Sequence, residues 1–148
     1  MQIKEPGNAG PLTDIVMVAA GGNHSLALDR SGRVFAWGFA TDAQLGDGAN
    51  RLAGNRSLVP RAVVGTDGLT QLTGVVSVSA GYSSSAALQG DGTVLMWGNN
   101  FRGALGRGEA SNAQFANSPL PAPVVANAQR APLKLAVQGF PNLLRRAR

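Results

Sequence analysis

The sequence predicts an all-β protein that forms two blades of a partial β-propeller, with short irregular termini. Three observations support this: an internal repeat, a composition rich in turn-forming residues, and strands that are apolar on both faces. The 148 residues include 20 Gly and 8 Pro, with 44% hydrophobic and only 14% charged residues. This composition is typical of a folded chain with short strands and many tight turns.

The internal repeat is the strongest of the three observations. Residues 15–48 align without a gap on residues 75–108, at a constant offset of 60. A period of this size is used by propeller and array architectures. The identical pairs are Val16/Val76, Val18/Val78, Ala20/Ala80, Gly21/Gly81, Ser25/Ser85, Ala27/Ala87, Leu28/Leu88, Gly32/Gly92, Val34/Val94, Trp37/Trp97, Gly38/Gly98, Leu45/Leu105, Gly46/Gly106 and Gly48/Gly108.

Three short strands are predicted in each copy. In the first copy they are Ile15–Ala20, Ser25–Leu28 and Arg33–Trp37, and the second copy repeats them in the same order. The second and third strands are separated by turn sequences that end in Gly32 and Gly92, because glycine readily adopts the positive φ of a tight hairpin.

Both faces of the third strand are apolar. Strand alternation places Phe35 and Trp37 on one face and Val34 and Ala36 on the other. Such a strand fits between two neighbouring sheets, as in stacked propeller blades. The small residues Ala20-Gly21 and Ala80-Gly81 are expected to allow close approach of the backbone near the propeller axis.

A fourth strand is predicted after each core, in the proline-containing runs Val59–Val64 and Leu120–Val125. Proline favours an edge strand or the entry of a strand. Four strands per repeat make one blade. The predicted organisation is an N-terminal segment (1–14), a first blade (15–64), a linker (65–74), a second blade (75–125), and a basic tail (126–148) that contains the start of a broken third repeat.

The repeated blocks resemble the regulator of chromosome condensation repeat. In the first copy these blocks are Ala20–Leu28, Gly32–Gly38 and Gln44–Gly46, and the second copy is similar from Ala80 to Gly106. The resemblance covers about residues 15–125. It implies a normally seven-bladed propeller, of which this chain would supply two blades.

This chain departs from the family pattern in two places. The His-Ser step of the family is present at His24-Ser25 but becomes Ser84-Ser85 in the second copy, so the histidine is not required for the repeat. Residues Leu133–Gly139 are similar to a first strand, whereas Phe140–Arg148 follows no part of the pattern.

The charge distribution argues against a nucleic-acid interface on the folded body. The formal net charge is +5, but residues 1–129 contain eight basic and eight acidic residues. The excess lies in the tail, at Arg130, Lys134, Arg145, Arg146 and Arg148. A solvated or out-of-register end is favoured there over a segment that binds an anionic surface or a partner.

The location is expected to be cytoplasmic by default, and no membrane association is predicted. The first apolar run, Ile15–Ala20, is too short for a signal or membrane segment. The absence of cysteine also excludes disulfides, thiolate metal sites and cysteine nucleophiles.

No catalytic, cofactor-binding or metal site is predicted. His24 is adjacent to Ser25, and adjacent residues of a strand point to opposite faces, so a triad with Asp29 is disfavoured. Trp37 and Trp97 share a repeat position and are interpreted as packing residues. The glycine pairs at residues 46/48 and 106/108 lack the partners of a phosphate-binding loop.

The sequence therefore favours a protein-interaction or scaffolding module that is not an enzyme and needs no cofactor. Two blades leave two apolar faces and an open edge, so we expect either self-association through the blade faces or a truncated array. The partner is an unknown protein. The alternative, by family resemblance only, is guanine nucleotide exchange on a small GTPase.

Overall fold

Two four-stranded antiparallel sheets form the body of the protein. The computed structural model describes residues 11–49, 55–108, 117–126 and 131–135. The first sheet, blade 1, contains β1 (Ile15–Ala20), β2 (His24–Asp29), β3 (Val34–Phe39) and β4 (Arg56–Ala62); the second sheet, blade 2, contains β5 (Val75–Ala80), β6 (Ser84–Gln89), β7 (Val94–Asn99) and β8 (Asn117–Pro123). The all-β prediction is confirmed. None of the described segments forms a helix long and apolar enough to cross a membrane.

The repeat in the sequence is also a repeat in strand register. Ser25 pairs with Trp37 across β2 and β3, and Ser85 pairs with Trp97 across β6 and β7. The hairpin glycines adopt the positive φ expected of them, +83° at Gly32 and +87° at Gly92. Equivalent residues of the two blades therefore have equivalent positions, and differences between them report on their surroundings.

The fourth strands lie at the edge of each sheet and begin earlier than the sequence predicts. The pairing of β3 with β4 starts at Phe39 and Arg56, three residues before the predicted start at Val59. The register of this pair shifts between Ala36 and Gly38, and Pro60 lies opposite the shift. A proline is tolerated at such an irregularity, where its missing N–H breaks no regular ladder of hydrogen bonds.

The hydrophobic core lies between the two blades. Strands β1 and β2 of blade 1 pack against β5 of blade 2. Both blades contribute buried residues to this core, which consists of Leu26, Leu28, Val34, Ala36, Ala40, Leu45, Val63, Leu72, Val75, Val78, Ala87, Leu95 and Trp97. The contact between the blades therefore forms the hydrophobic core of the described chain.

The described residues after blade 2 lie where a third blade would begin. The Leu135 N–H donates to the Gly92 carbonyl at 2.8 Å, just as the Val75 N–H donates to the Gly32 carbonyl at 3.2 Å. Lys134, one of the five tail cations, pairs with the Asp91 carboxylate. The remaining tail cations, and the rest of the predicted Leu133–Gly139 strand beyond Leu135, lie outside the described residues.

Candidate functional site

A buried group of four residues joins the two blades. The Gln44 carbonyl accepts hydrogen bonds from the Trp97 indole Nε1 at 3.0 Å and from the Ser85 hydroxyl at 2.8 Å. The Ser85 oxygen also lies 2.8 Å from Nε2 of His24. We call His24, Gln44, Ser85 and Trp97 the inter-blade cluster. Blade 1 contributes His24 and the Gln44 loop that follows β3, and blade 2 contributes Ser85 and Trp97.

The hydrogen bonds fix the state of the His24 ring. A serine hydroxyl has one hydrogen, and that of Ser85 points to the Gln44 carbonyl, so Nε2 of His24 must carry a proton and donate it to Ser85. Burial lowers the pKa of His24 below its ordinary value. The ring is therefore neutral, with Nδ1 buried and without a partner among the described residues.

Two glycines create the space that the cluster needs. A Cβ on Gly46 would lie only 2.5 Å from Nε1 of Trp97, and a Cβ on Gly21 would lie 2.4 Å from the Gly81 carbonyl oxygen. Gly46 also has a φ of +61°. The close approach predicted for the Ala20-Gly21 and Ala80-Gly81 steps is present, and it brings the inner ends of the two blades together.

The residues of the disfavoured triad do not meet. His24 faces blade 2, whereas Ser25 points to the opposite side of the sheet and is partly exposed. Burial would raise the pKa of the Asp29 carboxyl, but hydrogen bonds from Ser31 and Arg33 outweigh it and hold this pKa below its usual value. Asp29 thus organises the β2–β3 hairpin, and these three residues form no catalytic arrangement.

The glycine pairs at residues 46/48 and 106/108 do not form a phosphate-binding loop. The amides of Gly46, Gly48 and Gly106 all donate to backbone carbonyls. In the described part of the chain, no group of three or more His, Cys, Asp or Glu residues is arranged to hold a metal ion.

The face of blade 2 that points away from blade 1 is open. Its residues are partly or fully exposed, although their counterparts on blade 1 form the inter-blade contact. Leu88, for example, is partly exposed, whereas its counterpart Leu28 is only 2% exposed. This open face carries Ser79, Ser84, Ala86, Leu88, Val94 and Met96.

A cavity of about 530 Å³ lies at one end of this open face, where β6 begins and β7 ends. Its lining includes Ser84 and Ala104, which are the counterparts of His24 and Gln44 at the offset of 60. Tyr82, which is 78% exposed, and Phe101, which is 42% exposed, flank it. The remaining lining residues are Asp42, Ser83 and Asn99. On blade 1, the equivalent position beside His24 and Gln44 is filled by Ser85 and Trp97 of blade 2. On blade 2 the same position is the cavity.

The outer face of blade 1, which points away from blade 2, is open only in part. On the outer side of blade 1, Val18 is 69% exposed, and Ser25 and Trp37 are partly exposed. Neither the Trp37 indole nor the Ser25 hydroxyl has a hydrogen-bond partner among the described residues. Phe35, on the same side, is already 97% buried, with the Arg33 guanidinium 5.5 Å from its ring centre. The available part of this face is therefore the area around Val18, Ser25 and Trp37.

Sequence reasoning interpreted both tryptophans as packing residues, and the structure separates them. Trp97 is fully buried, whereas Trp37 is partly exposed. The role of Gln44 was missed, because the group that binds Ser85 and Trp97 is its main-chain carbonyl, which has no side-chain signature. The available signal was the recurrence of Ser25/Ser85 and Trp37/Trp97 at one register position in both copies.

Two stacked sheets with the same topology and register define a repeat protein of the β-propeller class. A family model described as "Regulator of chromosome condensation (RCC1) repeat" matches residues 31–88, and a second model of the same description matches residues 15–44 and 75–104. The chain belongs to this repeat family. The resemblance inferred from the repeated sequence blocks is confirmed.

Curated relatives are much longer than this chain. The chain is 34% identical over 113 residues to the human probable E3 ubiquitin-protein ligase HERC6, a match that covers 76% of this chain and 10% of that protein. It is 33% identical over 104 residues to the human Regulator of chromosome condensation, covering 67% of this chain and 22% of that protein. The chain therefore spans about a tenth to a fifth of the length of these relatives.

Solved structures confirm the propeller fold. Prp20p from Saccharomyces cerevisiae, whose structure was reported with its binding properties to Gsp1p and histones, matches with a TM-score of 0.61 and 23% identity. The match covers 86% of this chain and 28% of Prp20p. Human WBSCR16 matches with a TM-score of 0.52 and 25% identity, covering 73% of this chain and 24% of that protein. The two described sheets are thus a partial propeller.

Proposed function

We propose that this chain is a protein-interaction module that acts by binding and catalyses no reaction. The single observation that carries the proposal is the open face of blade 2, where an aromatic-flanked cavity lies beside partly exposed apolar side chains. Exposed apolar surface of this kind, rimmed by polar residues, commonly marks a site for another protein.

The composition of the cavity supports a protein partner. Aromatic side chains such as Tyr82 and Phe101 supply large contact areas and are enriched where proteins bind each other. Asp42, Asn99 and Ser84 add polar groups that can orient the partner. Such a combination of apolar anchors and a few polar groups suits a protruding side chain or loop of another protein.

Structural relatives also support binding as the activity. Prp20p was reported with its binding to Gsp1p and histones, and another structure contains Kap60 bound to yeast RCC1 (Prp20). Gsp1p, histones and Kap60 are partners of the yeast protein. For this chain we carry over only the expectation that a propeller face of this type binds a protein.

Site-specific photo-crosslinking tests this proposal. A photoreactive phenylalanine analogue would replace Tyr82 at the cavity and, as a matched control, Leu69, which is 87% exposed and is not among the residues lining the cavity. We expect a discrete protein adduct from position 82 and none from position 69. The partner identified in this way should bind more weakly to Tyr82→Ala and unchanged to Leu69→Ala. No adduct, or equal adducts at both positions, would contradict the proposal.

The second candidate function is guanine nucleotide exchange on a small GTPase, which is favoured by family resemblance only. A GTPase loaded with a fluorescent guanine nucleotide distinguishes the two functions. If binding is the whole activity, adding the chain leaves the rate of nucleotide release unchanged. Accelerated release would replace the proposed function with the exchange activity.

A further inference from the structure

We infer that the end of the cavity formed by Asp42, Tyr82 and Phe101 binds the ammonium group of a lysine side chain on a partner protein. Asp42 is the only charged residue among the described residues that line the cavity, and the rings of Tyr82 and Phe101 border the same space. A carboxylate and aromatic rings together are complementary to a cation. The inference rests on the proposed function, since it names the chemistry of the partner at the same site.

The Asn99 side chain holds the acidic group and one of the aromatic residues of this site in place. Its Nδ2 group donates to Oδ1 of Asp42 at 3.3 Å, and its Oδ1 accepts from the Phe101 N–H at 2.7 Å. The Asp42 N–H donates in turn to Oε1 of Gln44 at 2.9 Å. Groups that are already fixed lose little conformational freedom when a ligand arrives, so this arrangement favours binding.

Tyr82 is held at the junction of the two blades. The Gly22 N–H lies 3.3 Å from the carbonyl oxygens of both Gly81 and Tyr82. A Cβ on Gly22 would lie only 2.7 Å from Cδ2 of the Tyr82 ring, so the missing side chain on blade 1 makes room for the ring of blade 2. Tyr82 is nevertheless 78% exposed, and much of its ring surface is available to a ligand.

The loop positions of this site stay accessible beside a stacked blade. Gly22 and Asn23, the blade 1 counterparts of residues 82 and 83, are both exposed although blade 2 packs against blade 1. The part of the cavity next to Ser84 differs, because its blade 1 equivalent beside His24 is filled by blade 2. The lysine site is therefore assigned only to the loop end of the cavity, where Asp42 of blade 1 meets the loops of blade 2.

The carboxylate of Asp42 favours lysine over arginine. Its Oδ1 already accepts from Asn99, whereas its Oδ2 has no hydrogen-bond partner among the described residues. One free oxygen suits the compact ammonium group of lysine. The guanidinium of arginine binds a carboxylate best through two parallel hydrogen bonds to both oxygens.

Arg102 opposes the binding of a second cation at this site. Its guanidinium lies 5.2 Å from the centre of the Phe101 ring, so it already uses part of the attraction that this ring offers to a cation. Arg102 is exposed and is not among the residues that line the cavity. Removing its charge should accordingly strengthen the binding of lysine, an effect that misfolding cannot imitate.

Titration of the 148-residue chain with a Gly/Ser peptide that contains one lysine, followed by nuclear magnetic resonance, tests the inference. We expect the amide signals of Tyr82, Asn99 and Phe101 to shift until they saturate. The same peptide with Nε-acetyl-lysine, which carries no charge, is the control and should cause no saturable shift. A peptide with arginine in place of lysine should bind more weakly.

Variants of the chain test the contribution of each group. Tyr82→Phe keeps the ring and should bind like the unchanged chain, whereas Tyr82→Ala should bind roughly twofold to fivefold more weakly. Asp42→Asn keeps an acceptor for Asn99 but loses the charge, and should weaken binding roughly tenfold. Arg102→Gln should strengthen binding roughly twofold. Leu69→Ala is the control at an exposed position outside the cavity and should have no effect.

The outcomes separate this inference from the proposed function. No saturable shift with the lysine peptide, equal shifts with the acetylated peptide, tighter binding of the arginine peptide, or weaker binding by Arg102→Gln would overturn the lysine site. If position 82 then still crosslinks to a protein, the proposed interaction function stands with a partner of different chemistry. If the lysine peptide binds as expected but position 82 gives no adduct, the lysine site stands and the proposed function does not.

Discussion

Leu28 and Leu88 occupy the same position in the two blades, yet Leu28 is 2% exposed and Leu88 is partly exposed. On the other side of the sheets it is the residue of blade 2 that is more buried, since Trp97 is fully buried and its counterpart Trp37 is partly exposed. Each blade therefore has one covered face, and the covered faces are opposite ones. The other face of blade 2 is open, whereas the outer face of blade 1 is open only around Val18, Ser25 and Trp37. For the pairs Leu28/Leu88 and Trp37/Trp97, the comparison teaches that the neighbouring blade decides which copy belongs to the core.

The two tryptophans give the largest expected contrast. Trp97→Ala removes a fully buried ring from the inter-blade core and should lower the free energy of unfolding by about 3–5 kcal/mol. Trp37→Ala removes a partly exposed ring and should cost about 1–2 kcal/mol, because less apolar area is lost from the folded state. Urea unfolding at low protein concentration measures both. Equal losses would mean that the blades are not distinguished by their neighbours.

Gly46 and Gly106 give a pair that compares the contact with Trp97 with a less severe contact at the equivalent position of blade 2. Replacing either glycine by alanine at a positive φ costs about 1–2 kcal/mol. Gly46→Ala also places a Cβ 2.5 Å from Nε1 of Trp97, and overpacking of this kind adds about 1–3 kcal/mol. The Cβ of Gly106→Ala would lie 3.0 Å from a Val124 methyl group, which is a milder contact. Thermal or urea unfolding should therefore show the larger loss for Gly46→Ala. If Gly106→Ala is at least as damaging, Gly46 is not fitted to Trp97.

Ser85 and Ser25 test the hydrogen bonds of the inter-blade cluster. Ser85→Ala leaves the His24 Nε2 hydrogen without its acceptor in a buried site, which should cost about 1–3 kcal/mol. Ser25→Ala should be close to neutral in the monomer, since its hydroxyl has no partner among the described residues. Urea unfolding of the two variants gives the comparison, and a neutral Ser85→Ala would show that the cluster contributes little.

The smallest expected effect is a dependence of stability on pH that only blade 1 can supply. Burial holds the pKa of His24 below its ordinary value in the folded chain, so protonation favours the unfolded state. The contribution of His24 to the free energy of unfolding is fully present above about pH 6.5, the ordinary pKa of histidine. It is lost as the pH falls from there through the lower pKa of His24 in the folded chain. His24→Ser introduces the residue found at this position in blade 2. It should make the free energy of unfolding less dependent on pH between about pH 5 and pH 7. An unchanged slope would contradict the neutral, buried ring.

Much of the fold was predictable from local chemistry. The offset of 60 located both blades, the hairpin glycines located the β2–β3 and β6–β7 turns, and the doubly apolar strand of Phe35 and Trp37 indicated stacked sheets. The starts of β4 and β8 were missed by three residues, because polar residues such as Arg56 and Asn117 pair through their backbone and leave no apolar pattern.

The candidate site was less predictable, because its contacts connect different repeats. His24 bonds to Ser85, 61 residues away, and the shared acceptor is a main-chain carbonyl. A single copy of the repeat contains none of these pairs. The sequence could show that Ser25 and Trp37 recur, but which copy was covered depends on how the two sheets stack.

Hydrogen exchange of the two indole N–H groups, followed by nuclear magnetic resonance, tests the central claim most directly. The chain has two tryptophans, so two indole signals are expected, and Trp37→Phe assigns them. At low protein concentration the account predicts strong protection of the Trp97 N–H, which is bonded to the Gln44 carbonyl, and rapid exchange of the Trp37 N–H. Equal exchange rates for the two groups would contradict the claim that one blade face is covered and its counterpart is open.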